Sequence, residues 1–484
     1  MGLTSSLFSG VSGLSTLGNA MTVIGDNIAN VNTVGFKSSR VVFQDILSQA
    51  VATQSGTAQV GRGTALADVT AAFDQGSFES TESATDLAIG GDGFFVVRHP
   101  DDTNNKFYTR AGSFRFDKEG NFTNPAGYVV NGWVLRRNDT TGDVEDVGTI
   151  TDIKLQGFTS PPEPTDSVTL ITNLDSDGKD NTTAVAGGLV AAWDGTASPP
   201  MADTAYEYQS TLKVYDSLGD THDVTIYYDV ADSSLRTYEF VITGNPSEDF
   251  RSDGAGGTVA ETLGGGLFGK GELTFSQAGK LTDITFSSFD GVGDPADPAD
   301  FTAVALGAAD PYFTFTPDFL GATPQEIELN FGASWNGTNF VSDSLATTMF
   351  ATASTTIFQS STGYGAGDLQ SISVDADGVI TGQYSNGQVT PLFRVALAKF
   401  QNTQGLFKEG GNLFRETRTS GPAITNKPGT AGLGSIASNS LEQSNVDISN
   451  EFVKMITTQR GFQANSKIVT TVDTMLSDVI NMKR

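Results

Sequence analysis

A chain of 484 residues is long enough for two or three domains, each with a core of its own. Hydrophobic residues at 38%, charged residues at 17% and 55 Gly against 16 Pro describe ordered strands joined by tight turns, and exclude a disordered chain or a small stapled scaffold. The net charge of −28 disfavours nucleic acid and anionic lipid surfaces, while zero Cys removes disulfides, thiol nucleophiles and thiolate metal sites, leaving His99 and His222 as the only imidazoles.

In the first thirty-one residues the apolar side chains Leu7, Leu14, Leu17, Met21, Ile24, Ile28 and Val31 recur at steps of three, four or seven. That spacing predicts a helix with a coiled-coil seam. Gly10, Gly13, Gly18 and Gly25 interrupt it, each costing up to about 1 kcal/mol relative to Ala, so the helix is expected to fray in a monomer and to order on association. No basic segment followed by an apolar core opens the chain, and no apolar run is expected to reach the roughly 20 residues of a membrane span. Residues 36–70 read as a connection.

Period-two runs with turn residues follow, a pattern of antiparallel sheet. Phe94-Phe95-Val96-Val97 reads as a strand, and Phe114-Arg115-Phe116 leads through Asp117-Lys118-Glu119-Gly120 into Asn121-Phe122. A second hairpin joins Thr211–Tyr215 to Val224–Tyr228 across Asp216–Asp220, and a third turns at Asp375-Ala376-Asp377-Gly378. Stretches 177–205, 244–268 and 287–311, rich in small and polar residues, read as loops or insertions. The last segment returns to helical spacing, with Ile448, Phe452, Met455, Phe462, Val469, Val472 and Leu476 on one predicted side. Residues 1–40 carry only Asp26, Lys37 and Arg40, and residues 441–484 balance five acidic against five basic side chains, so the negative charge belongs to the middle.

Few motifs suggest chemistry. Gly264-Gly265-Gly266-Leu267-Phe268-Gly269-Lys270 approximates a phosphate loop, but Gly271 stands where a magnesium-binding hydroxyl belongs and no helical pattern follows; a flexible loop is expected. Asp175-Ser176-Asp177-Gly178 and Asp375-Ala376-Asp377-Gly378 resemble calcium loops but have Lys179 and Val379 at the fifth position, so hairpin turns are expected. His222 lies between Asp220 and Asp223 as a candidate base, or as a polar residue entering a strand. No catalytic, metal or cofactor site is nominated, and no cofactor is expected.

Two terminal stretches and three inner ones resemble a known family, the axial proteins of the bacterial flagellum. Gly25-Asp26-Asn27-Ile28-Ala29-Asn30-Val31-Asn32-Thr33-Val34-Gly35-Phe36-Lys37 resembles its N-terminal signature, with Asp26 where Asn is usual. Leu441-Glu442-Gln443-Ser444-Asn445-Val446-Asp447 and Gln459-Arg460-Gly461-Phe462-Gln463-Ala464-Asn465-Ser466 resemble its C-terminal signature, with Gly461 where a larger residue is common. Asp86–Phe95, Thr109–Phe114 and Tyr384–Gln388 are similar as well. Within the family, Val214–His222 is similar to hook subunits rather than to the shorter rod subunits.

The resemblance implies a mainly β body, α+β overall, with coiled-coil-forming helical ends and nested discontinuous domains. Residues 1–35 with 441–484 would form the polymerisation core, 71–148 with 357–440 an inner β domain, and 149–356 one or two outer lobes. It further implies a structural, non-enzymatic subunit of a curved, flexible tube that transmits motor torque. The implied partners are copies of itself in a helical homopolymer, rod and hook-filament junction proteins, and the hook cap and export apparatus during assembly, without nucleic acid or membrane insertion. Export would proceed through the flagellum's own channel without a cleavable signal. The alternatives are a distal rod or junction subunit, or a secreted carbohydrate-active β protein.

Overall fold

The computed structural model describes residues 2–53, 56–102, 105–137, 144–182, 187–232, 236–253, 257–260, 262–307, 310–321 and 324–482. The chain is mostly β, with one long helix near each end: α1 (Gly2–Ala29) and α2 (Ile448–Asn481). It divides into two compact units, a flanking unit of residues 1–158 and 369–484 and an inserted unit of residues 159–368. The division falls later than the sequence suggests at both crossings. Strand Val144–Asp152 is laddered onto Val129–Arg137, which draws it into the flanking unit, and Thr355–Ser361 is laddered onto Ser167–Asp175, which draws it into the inserted one.

Residues 36–70, expected as a plain connection, carry two antiparallel strand pairs, Ser39–Asp45 with Thr64–Ala71 and Gln49–Thr53 with Gly56–Val60. A two-stranded ribbon is marginal by itself. This one is seated on α1: the Thr16 and Thr64 hydroxyls meet at 3.1 Å, and Ser12 Oγ accepts from the Thr64 N–H at 3.2 Å. The membrane expectation also needs amending, because Ser5–Ala29 is long and apolar enough to cross a bilayer by length and composition. Here the same helix buries Thr16 and Asn27 against protein partners.

In the flanking unit the strand Phe94–Arg98 is covered on both faces, which explains why its sequence is apolar at successive positions. Phe95 and Val97 join Leu87, Ile89, Phe122 and Leu397 in one cluster, whereas Phe94 and Val96 join Tyr108, Phe400 and Phe414 in another. The expected turns close on aspartates. Asp117 Oδ1 accepts from the Glu119 and Asn121 N–H groups, Asp216 Oδ1 from Leu218 and Asp220, and Asp375 Oδ1 from Asp377 and Val379. Gly120, Gly219 and Gly378 take φ of +80°, +88° and +73°, the left-handed step these turns require.

The inserted unit contains a six-stranded antiparallel meander running Tyr208–Tyr215, Thr221–Asp232, Thr237–Thr243, Leu267–Phe275, Leu281–Phe289 and Phe301–Ala303. Alternate residues Leu212, Val214, Val224, Ile226, Tyr228, Phe240 and Ile242 point into its main core. A second sheet is centred on Ser167–Asp175, flanked by Ile327–Asn330 and Thr348–Phe350 on one side and Thr355–Ser361 on the other. Stretch 177–205 is more than a loop: its Leu189, Val190, Trp193 and Met201 cover the other face of the meander with Val241 and Phe289. The glycine run of the phosphate-like motif is likewise packed, not flexible. It enters the strand Leu267–Phe275, the Trp193 indole donates to Gly265 O at 3.0 Å, and a Cβ on Gly264 would lie 2.5 Å from the Phe289 ring.

Two carboxylates beneath this stretch make the inserted unit sensitive to pH. Asp229 is fully buried and takes the Asn181 and Thr182 N–H groups at 3.0 and 3.1 Å, while the Thr182 hydroxyl bridges it to Glu239 at 3.1 Å. Burial pushes both carboxyls above the ordinary range, and the neighbouring Asp229 and Asp180 push Glu239 further. A raised folded value means that the native state binds protons first as pH falls. The stability tied to these groups is therefore present at low pH and lost as pH rises through the folded values. The melting temperature of the inserted unit is expected to rise as pH falls from neutrality, and Glu239→Gln to reduce that slope; an equal slope in the variant would refute the assignment.

Candidate assembly surface

The two terminal helices pack against each other and run antiparallel. Gly10 faces Val469 and Ile468, Gly13 faces Asn465, Leu17 faces Gly461, and the Asn27 amide donates to Glu451 Oε2 at 3.3 Å. A Cβ on Gly13 would sit 2.7 Å from Asn465 Nδ2, and one on Gly10 would sit 3.1 Å from Val469 Cγ2, so these glycines set the close approach of the pair. Gly18 and Gly25 meet nothing within 4 Å and keep their helix cost without a contact of that kind.

On α1, Ile24 is buried and Leu7, Leu14, Leu17, Met21 and Ile28 are half-buried, as is Val31 just beyond the helix. On α2, Val472 is buried and Met455, Val469 and Leu476 are half-buried. Ile448, Phe452 and Phe462 are not brought into the pair; they stand 44%, 48% and 40% exposed, and Ile456 beside them is 50% exposed. The α2 helix is apolar on more of its circumference than one partner helix covers, and a second apolar stripe remains along its first half.

The residues of the two signatures do different work, most of it at the joint between helices and β structure. Asn27 is buried and pairs with the backbone of Ser39 like an extra ladder rung, donating to its O and accepting from its N–H at 2.8 Å each. Asn445 accepts from the Ser38 N–H and donates to Ala72 O, both at 2.8 Å. Asn30 folds back on Asp26 O at 2.9 Å to close the end of α1. Gly35 has φ +69° and would carry a Cβ 2.5 Å from Ala111 N, so a side chain there is excluded twice over. Phe36 is buried beneath the Lys408 ammonium at 5.6 Å. Asp447 caps α2 by accepting from Ser449 and Asn450 N–H, and Ser444 Oγ accepts from the Val446 N–H. Asn32, Gln459 and Arg460 are exposed.

Sequence reasoning missed the ionic centre of this joint. Glu442 is fully buried, with Oε1 2.6 Å from Lys37 Nζ and Oε2 3.3 Å from Arg110 Nη1; Oε1 also accepts from the Gly76 N–H at 2.9 Å. Lys37 donates onward to Asp74 O at 2.7 Å. Burial pulls both cations below their ordinary values, and Glu442 opposes that pull. The one available signal was Lys37 itself, an isolated charge in a nearly uncharged segment. His222, the candidate base, is stacked 3.9 Å from the Phe319 ring with Nδ1 2.7 Å from Glu248, a packed position in the inserted unit.

Four family descriptions match the chain in order. "Flagella basal body rod protein" covers residues 7–37, "Flagellar hook protein FlgE/F/G D1 domain" 88–160, "Flagellar basal body protein FlaE D2 domain" 173–364, and "Flagellar basal body rod FlgEFG protein C-terminal" 437–482. The flagellar hook protein FlgE of Borreliella burgdorferi is 34% identical over 99% of both chains. The chain belongs to the flagellar hook protein family. The Treponema pallidum and Escherichia coli hook proteins are 32% and 29% identical over 99% and 98% of both chains. It is a structural subunit of the flagellar hook, and the rod, junction and carbohydrate-active alternatives are not favoured.

Proposed function

We propose that this hook subunit polymerises through its paired ends: α1 and α2 form the inner wall of a curved, flexible tube, and the inserted unit lies outermost in a nested arrangement. The carrying observation is the second apolar stripe of α2, Ile448, Phe452, Ile456 and Phe462, left open after α1 has covered the other side. A contiguous apolar stripe on a long helix marks a partner surface. The partner is the terminal pair of the next copy, and Leu7, Leu14, Leu17, Met21, Ile24, Ile28 and Val31 with Met455, Val469, Val472 and Leu476 hold each pair together as a coiled coil. The subunit transmits torque and performs no catalysis. It meets rod and junction proteins at the tube's two ends and the cap and export apparatus during growth, and it leaves the cell through the flagellum's own channel.

Immunogold microscopy with antibody against residues 159–368 tests the location. Label confined to the short curved segment between cell surface and filament supports the reading, and label appearing only after the envelope is stripped overturns the outermost placement.

Charge distribution supports the same order of layers. Residues 159–368 hold 30 acidic and 6 basic side chains, a net −24 of the total −28. Neighbouring inserted units repel one another, and salt screens that repulsion: the Debye length shrinks from about 30 Å at 0.01 M to about 3 Å at 1 M. The critical concentration for assembly of the purified chain is therefore expected to fall as salt is raised. A rise with salt, measured by sedimentation, would place ionic attraction rather than apolar packing at the main interface.

A further inference from the structure

The inserted unit carries a groove of about 540 Å³ whose rim includes Leu345, Phe350 and Ile357, all about half exposed, together with Lys280 and Asp343. In a unit of net −24 this is a neutral, apolar depression. It lies where strand Ser167–Asp175 ends, since Asn173 lines it and Asp175 pairs with Phe350. The opposite end of that strand adjoins Tyr215: the Thr165 N–H donates to Tyr215 O at 3.0 Å, and the Tyr215 N–H donates to Thr165 Oγ1 at 2.9 Å. Just beyond Tyr215 the turn Asp216–Asp220 holds up Leu218, 68% exposed and the most exposed large apolar side chain among the described residues of the unit. Eight residue steps of chain, from Thr165 to Asn173, separate the two features by about 26 Å.

The turn is rigid as well as protruding. Asp216 Oδ1 accepts two N–H groups of its own turn at 2.9 Å, and a Cβ on Gly219 would lie 2.7 Å from Pro162. Charges at the two ends are complementary. Asp220 beside the knob and Lys280 beside the groove are both exposed, and neither makes an ion pair among the described residues. A knob at one end and a hole at the other cannot satisfy each other within one copy. Between copies they make a heterologous contact, the kind that propagates along an open helical polymer.

We propose that the inserted units of successive copies dock head to tail, Leu218 of one copy entering the Leu345–Phe350–Ile357 groove of the next with Asp220 set beside Lys280. This rests on the polymer reading above and names a contact separate from the terminal helices. The absence of native Cys gives a direct test. In tubes isolated from cells making the Leu218→Cys, Leu345→Cys double variant, oxidation is expected to yield a ladder of covalent multimers on a non-reducing gel, while either single variant gives no ladder. Adding Lys280→Glu should reduce the ladder, and adding Asp220→Lys to that should restore it. Intact tubes whose double-variant subunits stay monomeric after oxidation would overturn the contact; failure of the unmodified chain to form tubes would overturn the polymer reading and this contact with it.

Discussion

Glu442→Gln is expected to cost the flanking unit about 3–5 kcal/mol, because it removes the single carboxylate that two buried cations share. Lys37 and Glu442 have no exposed side-chain surface and Arg110 has 3%. Among the described residues Arg110 Nε has no hydrogen-bond partner even in the intact triad, so the guanidinium depends mainly on Glu442, with weaker help from the Asp92 charge and the Phe94 ring, 5.4 Å away. Without Glu442 the interior holds an uncompensated double positive charge, and Lys37, already pulled down by burial, loses its proton more readily. The stability of the variant is then expected to recover in part as pH is raised above neutrality. Lys37→Met is the informative contrast, since it leaves Arg110 and Glu442 as a one-to-one pair beside an apolar side chain and should cost much less. Denaturant unfolding of the two variants decides the matter: a loss below about 1 kcal/mol for Glu442→Gln would mean that water reaches the triad and screens it.

The sequence revealed the features that repeat locally and hid those that depend on distant partners. The helical ends were legible because Leu14, Met21 and Ile28, and Met455, Val469 and Leu476, recur with helical period, and the hairpin turns because an Asp and a left-handed Gly stand at fixed spacing. The Lys37–Glu442 contact joins residues 405 positions apart, and no local pattern announces it. Burial of Leu189 and Trp193 was hidden for a similar reason, since the sheet face they cover is built from strands that follow them in the chain. The heptad reading placed Ile448, Phe452 and Phe462 in the same seam as Met455 and Val469. Periodicity reports that a side chain is on an apolar arc, and when the arc is wide it does not say which partner covers which edge.

That wide arc makes Phe462→Asp the variant that best separates folding from assembly. Phe462 is 40% exposed, so within one chain the substitution gives up the covered part of one ring and should lower the stability of the monomer by about 1–2 kcal/mol, leaving it folded. In a polymer the same position would be covered by the next copy. The loss then includes the transfer energy of the part of the ring that is exposed in the monomer, about 1 kcal/mol, and the added cost of bringing an unpaired carboxylate into an apolar contact, at least about 1–3 kcal/mol. At 1.4 kcal/mol per factor of ten, the two parts together raise the critical concentration by roughly thirtyfold or more. The expected result is a chain that still unfolds cooperatively, at a modestly lower temperature, and forms no tubes at concentrations where the unmodified chain assembles. Phe462→Leu, which keeps most of the apolar surface, should assemble. If Phe462→Asp forms normal tubes, the second stripe faces the lumen or solvent rather than a neighbour, and the ribbon of residues 39–71, where Phe43, Leu66 and Val69 form a further exposed apolar set next to α1, becomes the next surface to test.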